Sequence, residues 1–437
     1  MNILGIYLGG HDSNIAMSKD GKVEYLKFER INGLKHCGPP NMQLDLMIKW
    51  VVSNNFKPDI IVYSDGERNG LGKCDSEKEL YRNLPNTMYH SIIRNEIKNL
   101  CGIDHDLIYC IDHHYAHVLS CWPVIDTEKQ EFGVVIDGSG DHKDRFSIFK
   151  NPYDIIQKDF IKSGILTKPE NIIFKSSVFN APAVLRNLGK LMGIKGNPLD
   201  IPGKIMGAYA YGTPDNKVID FILENFKNPF KWFNFDPTRV HQKTNHFNDV
   251  FNLEKYSTLK PYNLENSTFT SILSAFHYAL GKLIVQILQE QCSKDSIITY
   301  TGGVAQNTVW NEELYNNFNN LYIPPHVYDG GLSLGCLEFA RILHKLPKLS
   351  IDSFPYIQSD LTNIHLSPEI PKEIINDSTV DTVPADKMIK LAAQLLSEGK
   401  IIGWMQGKGE IGPRALGNRS ILMHPGAENG KNIINSR

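Results

Sequence analysis

Apolar residues in this chain come in short runs closed by Gly, Asp and Ser, and that punctuation predicts strands and turns. The segment ILGIYLGGHDSNIAMSKDGKVEYLKFE reads as an apolar strand entered directly from the N-terminus, a Gly/Asp/Ser turn and a returning strand. Near the middle of the chain EFGVVIDGSGDHKDRFSIFK repeats the pattern, so two related lobes are expected. Later, SIITYTGGVAQNTVWNEELYNNF reads as a strand ending in Gly-Gly that opens a helix. Exposed backbone N–H groups and a missing Cβ there allow close approach of a nucleotide or phosphate. Strand-and-turn units alternating with helical stretches make this an α/β protein.

The segment CIDHHYAHVLSC, Cys110 to Cys121, sits where an apolar run gives way to a helix start. Residues four apart share one helix face, so His113 and His117 can address one ion while His114 points elsewhere. Two imidazoles alone make a half-site; carboxylates must come from elsewhere in the chain. Asp137 ends the apolar run FGVVID, and Asp329 in YIPPHVYDGGLSLG is followed by glycines that let the backbone turn away. Taken singly, either aspartate reads as a turn or cap residue, and the histidine pair reads as structural or solvent-facing as readily as metal-binding. Together they make a mixed nitrogen and oxygen set compatible with iron, manganese or zinc.

At 437 residues, two or three lobes with substantial cores are expected. With 46 Lys and Arg against 48 Asp and Glu, no charge excess marks a duplex nucleic acid or an anionic membrane as a partner. A small-molecule substrate fits better. No basic leader or uninterrupted apolar run of spanning length is read, and seven scattered cysteines without C-x-x-C spacing suit free thiols, so a cytoplasmic location is expected.

The order of the two hairpins and the Gly-Gly turn is that of the actin-like ATPase architecture, whose lobes close on a nucleotide. The chain further resembles the O-carbamoyltransferases of the NodU, CmcH and TobZ type. The resemblance rests on GHDSNIA from Gly10, FERINGLKH ending at Lys35 and His36, DHHYAH, VVIDGSGD, GKIMGAYAYG from Gly203, TGGVAQN, DGGLSLG and GWMQGKGEIGPRALGNRSIL. It implies a TsaD-like two-lobed domain over residues 1–345, a connector over 346–385 and the start of a YrdC-like α/β domain over 386–437. The implied chemistry is synthesis of carbamoyladenylate from ATP and carbamoyl phosphate, then transfer of the carbamoyl group to a hydroxyl of a small metabolite.

Carried over by position, the metal ligands are His113, His117, Asp137 and Asp329, with iron the first expectation and zinc or manganese next. Attack of an alcohol on a mixed carbamic anhydride builds charge on the carbonyl oxygen and releases a proton. His11 is the candidate base, and Lys35 the candidate for neutralising the adenylate phosphate or the oxyanion. His11 also reads as a turn residue and Lys35 as a solvated lysine. Lys204, Gly302, Gly303 and Asn307 are expected to line the nucleotide, although the glycines also suit helix packing and Lys204 a loop. Lys408, Arg414 and Arg419 are where such proteins bind anionic groups.

Two departures stand out: Asp141 where relatives usually have Glu, and Lys408 where they commonly have Arg, which keeps charge but loses the bidentate fork. A YrdC-like domain needs about 150 to 200 residues for its own core, so the sequence is expected to hold only its opening, as a truncated product, a split gene or an engineered piece. Carbamoyladenylate synthesis by this chain alone is then expected to fail. Two other readings stay open, a tRNA threonylcarbamoyl transferase and a non-catalytic nucleotide-binding protein. The partner expectations are a hydroxylated small molecule and a homodimer, with no nucleic acid and no membrane.

Overall fold

Strand β1 (Ile3–Tyr7) is buried at all five positions because it is the middle strand of a five-stranded sheet. Strands β2 (Asn14–Lys19) and β3 (Lys22–Lys27) return antiparallel on one side, while β4 (Ile60–Ser64) and β5 (Ile108–Cys110) add in parallel on the other, giving the order β3-β2-β1-β4-β5. The second sheet follows the same plan. Around β6 (Phe132–Ile136) lie antiparallel β7 (Phe146–Lys150) and β8 (Ile172–Ser176) on one side and parallel β9 (Ile297–Thr301) and β10 (Asn320–Tyr322) on the other, in the order β10-β9-β6-β7-β8. The two hairpins read from sequence therefore begin two α/β lobes of one repeated topology. This computed structural model describes residues 1–9, 11–32, 35–36, 47, 49–64, 102, 107–125, 130–138, 140, 144–153, 172–177, 179–191, 194–225, 264, 267–359 and 384–436. Asp141, much of the connector and the aromatic stretch NPFKWFNFDPTRVHQKTNHF lie outside the described residues.

Helix α1 (His113–Cys121) starts where Asp112 caps it, accepting the Tyr115 N–H at 2.9 Å. All nine of its residues are buried. Helix α2 (Ile201–Ala208) carries the GKIMGA part of its motif. Helix α3 (Ser267–Gln291) forms the spine of the second lobe's core, its Phe276, Leu280, Leu283 and Leu288 belonging to one buried cluster with Val134, Ile148 and Tyr300. Its segment Thr270–Gln291 is long and apolar enough by length and composition to cross a bilayer, but polar residues such as Lys282 and Glu290 interrupt it and 78% of the window is buried within the fold. After β9 the chain makes a single tight turn over Gly303–Gln306, and helix α4 (Thr308–Asn317) begins only at Thr308. Helix α5 (Leu332–Leu343) lies against α1 so closely that a Cβ on Gly335 would stand 2.0 Å from the Ala116 carbonyl oxygen. A larger residue there would push the α1 histidines away from Asp329.

Helix α6 (Ala385–Ser397) and an antiparallel pair, β11 (Ile402–Met405) and β12 (Arg419–Leu422), follow. The loop between these strands returns to the first lobe. Ile411 is fully buried, its N–H donates to Pro355 O at 2.9 Å, and Tyr328 Oη donates to Ile411 O at 3.0 Å. By contrast Ile389, Met405 and Ile421 are exposed.

Candidate metal and transfer site

Four side chains from three separate segments converge between the lobes. His113 and His117 project from one face of α1, Asp137 follows β6, and Asp329 begins the turn into α5. All four are buried, and one donor atom from each lies within 4.8 Å of the others. His113 Nε2 is 3.2 Å from Asp137 Oδ2 and 3.7 Å from Asp329 Oδ1. His117 Nε2 is 3.9 Å and 3.3 Å from the same atoms.

Donors on a tetrahedral ion with bonds near 2.1 Å stand about 3.4 Å apart, and these separations bracket that spacing. His117 Nε2 is enclosed and makes no hydrogen bond among the described residues. An orphaned buried imidazole nitrogen facing two carboxylates fits a first-row divalent cation. His114 lies outside the four-residue group, and its Nδ1 pairs with Ser147 Oγ at 2.8 Å.

Each carboxylate is held from behind. Burial would raise the Asp137 pKa, but the hydrogen bond to His113 and the imidazole charges outweigh it and hold the carboxyl well below the usual range. Gly303 N–H donates to Asp137 Oδ1 at 2.8 Å. Tyr7 Oη donates to Asp329 Oδ2 at 2.6 Å, and Asn14 Nδ2 donates to the Asp329 carbonyl at 2.9 Å. Burial and the neighbouring Asp329 charge push the Tyr7 phenol well above its ordinary value, so it stays a donor. Tyr7, Asn14 and Asp12 carry no role in the sequence reading, although they stand in or beside the quoted GHDSNIA run.

His11 comes to this centre from the β1–β2 turn, with Nδ1 3.0 Å from Asp12 Oδ2 and 3.6 Å from Asp329 Oδ2. Burial lowers its pKa, yet the Asp12 hydrogen bond and the charges of Asp329, Asp12 and Asp137 raise it to about 9. His11 therefore holds its proton at neutral pH unless positive charge is placed among those carboxylates.

Other expected residues are placed differently. Lys35 is exposed and paired with Asp200 at 2.5 Å, so its charge is answered by a carboxylate and not aimed at the four-residue centre. Lys204 is exposed, with Nζ donating to Lys195 O at 3.0 Å. Gly302 has φ +93, and a Cβ there would meet Ile136 O at 2.3 Å, so the ends of β9 and β6 pack closely at this turn. Asn307 caps α4 by accepting the Trp310 N–H at 3.2 Å, and its amide donates to His277 Nε2 at 2.9 Å. Burial lowers His277 to about 4, which keeps it a neutral acceptor sandwiched between Tyr209 and Trp310. Arg419 is spent within its own loop, on Glu410 at 3.1 Å and the Gly412 carbonyl at 3.0 Å. Lys408 and Arg414 are exposed.

The family profile described as Carbamoyltransferase N-terminus matches residues 44–337, more than half of the chain, and that described as Carbamoyltransferase C-terminus matches 393–437. The chain belongs to the carbamoyltransferase family. It is 25% identical over 402 residues to an uncharacterised protein of Methanocaldococcus jannaschii, covering 89% of this chain and 62% of that protein. Nodulation protein NolNO of Sinorhizobium fredii is 23% identical over 447 residues, covering 98% of this chain and 60% of that protein. The 3'-hydroxymethylcephem-O-carbamoyltransferase of Streptomyces clavuligerus is 27% identical over 150 residues, 33% of this chain and 26% of that enzyme. The chain thus spans about three fifths of the length of the first two of these relatives. Among solved structures, full-length HypF overlays with a TM-score of 0.42 and 13% identity, covering 80% of this chain and 56% of that one.

Proposed function

We propose that this chain carries the acceptor-transfer site of an O-carbamoyltransferase, which moves a carbamoyl group from carbamoyladenylate to a hydroxyl of a small metabolite. In this reading the duplicated lobes are those of an actin-like, TsaD-like domain, and the elements after Ala385 open a YrdC-like domain that makes the adenylate from ATP and carbamoyl phosphate. The observation that carries it is the convergence of His113, His117, Asp137 and Asp329 beside His11. A divalent ion held by those four residues, iron first and zinc or manganese next, would supply Lewis-acid polarisation of the carbamoyl carbonyl.

The chain's own residues do the rest. The acceptor oxygen bonds to the carbamoyl carbon, and the bond from that carbon to the adenylate phosphate oxygen breaks. The hydroxyl proton passes to His11 Nε2, and AMP leaves with the bonding pair. His11 suits this role because its Nδ1 is engaged by Asp12 while its side chain stays 37% exposed and open to an acceptor. Tyr7 and Gly303 hold the two carboxylates so that the centre does not rearrange as charge develops.

The test is mass spectrometry of hydroxylated metabolites incubated with the protein and carbamoyladenylate, and in parallel with ATP and carbamoyl phosphate. A carbamoyl adduct and stoichiometric AMP in the first arm are expected. Adduct-free metabolites together with intact carbamoyladenylate overturn the reading.

A further inference from the structure

Asp12 stands in a conformation that an ordinary residue avoids. Its φ is +56, in the left-handed region, and it is 4% exposed. A left-handed backbone at a non-glycine residue costs about 1 kcal/mol or more, and glycine would take the turn without strain. Asparagine and aspartate both tolerate it better than other residues, but only aspartate buries a charge. A carboxylate here therefore needs a reason in its contacts.

Those contacts are three basic side chains. Asp12 Oδ2 is 3.0 Å from His11 Nδ1 and 3.1 Å from His36 Nδ1, and Oδ1 is 3.0 Å from Lys27 Nζ. Lys27 is itself buried, bonded also to Glu29 at 3.0 Å and placed over the Tyr328 ring, so it cannot swing away to solvent. His36 turns its second nitrogen to Asp200, at 3.3 Å, where α2 of the other lobe begins. Asp12 is thus braced by Lys27 on Oδ1 and by His36 on Oδ2, the oxygen that also faces His11.

We propose that Asp12 is the positioning residue for His11: it takes the Nδ1–H, fixes the ring so that Nε2 faces the acceptor hydroxyl, and is itself held by Lys27 and by the His36 bridge to Asp200. This rests on the carbamoyl-transfer reading above and adds to it a reason for the acidic residue in the strained turn. The arrangement is a base whose far nitrogen is oriented by a buried carboxylate, built here beside a four-residue metal-type centre. The His36 bridge joins the turn of one lobe to the helix start of the other.

Two variants and two readouts test it. Asp12→Gly suits the left-handed backbone and removes the carboxylate; Asp12→Asn keeps the side-chain shape without the charge. In zinc-loaded protein the Nδ1–H of His11, assigned by its loss in His11→Gln, should give a downfield proton resonance that disappears in Asp12→Gly and moves upfield in Asp12→Asn. With carbamoyladenylate as donor and glycerol as acceptor hydroxyl, AMP release by Asp12→Gly should fall at least about a hundredfold in kcat. KM for carbamoyladenylate should stay within about twofold, and Asp12→Asn should recover part of the rate. An unchanged His11 resonance in both variants, or a wild-type kcat in Asp12→Gly, overturns the proposal. If the wild-type protein transfers no carbamoyl group, the transfer reading fails alone, and the resonance still decides whether Asp12 orients His11.

Discussion

The Gly303 N–H donates to Asp137 Oδ1 at 2.8 Å while Asp137 Oδ2 lies 3.2 Å from His113 Nε2. One carboxylate thus joins the Gly-Gly turn of β9 to the helix that bears the histidines. A Cβ on Gly303 would stand 2.7 Å from Asp137 Oδ1, so the carboxylate must move. Gly303→Ala should therefore fold but bind metal about 10 to 100 times more weakly. Competition with a chelating dye checks this, and wild-type affinity would show that the carboxylate is not held from the turn.

Metal analysis separates the three histidines of α1. Wild-type protein should carry about one transition-metal ion per chain, and His117→Ala should lose it. His114→Ala, which removes only a bond to Ser147, should keep it. The opposite pattern would reassign the ligands.

Tyr7 supports the second carboxylate with a 2.6 Å hydrogen bond from full burial. Tyr7→Phe keeps the ring in the core and deletes that donor alone. Metal affinity should fall about tenfold or more, with the melting temperature of the metal-free protein changing little. A large loss of metal-free stability with unaltered affinity would make Tyr7 a packing residue only.

Glu338 in α5 is buried, and burial pushes its carboxyl up to about 7 against the Leu349 N–H and nearby Arg341 and Lys348. The folded state therefore binds this proton more tightly than the unfolded chain. Its contribution is favourable in acid and is lost as pH rises from the ordinary carboxylate value through about 7. Glu338→Gln, which can still accept from Leu349, should leave stability near pH 4.5 unchanged and raise it above pH 7. Denaturant midpoints at the two pH values test the sign; equal effects at both would refute it.

Tyr328 precedes Asp329 and ties the loop between β11 and β12 to the first lobe through Ile411 O. Tyr328→Phe leaves a buried carbonyl unpaired at a cost of about 1–3 kcal/mol. Amide exchange across residues 409–419 should accelerate by about tenfold or more. Unchanged protection would mean that the Ile411 side chain alone seats the loop.

Local pattern determines much of this protein. Apolar runs ended by Gly and Asp mark β1, β6 and β9, because a buried strand and its turn are written within a few neighbouring residues. The i, i+4 spacing of His113 and His117 and the placing of Asp137 and Asp329 at the ends of apolar runs bring the four-residue centre within reach of the sequence. Only the tertiary structure decides what each polar group meets. Lys35 finds Asp200 at 165 residues' separation, Tyr7 finds Asp329 at 322, and Asn14 finds the Asp329 carbonyl at 315. Gly302, Gly303 and Asn307 form a turn whose pattern is local, but that it stands against Ile136, Asp137 and His277 is decided by packing alone. The physical reason is that backbone preference acts over one or two turns of chain, whereas the partner of a charge or donor is set by which distant segments the closed lobes press together.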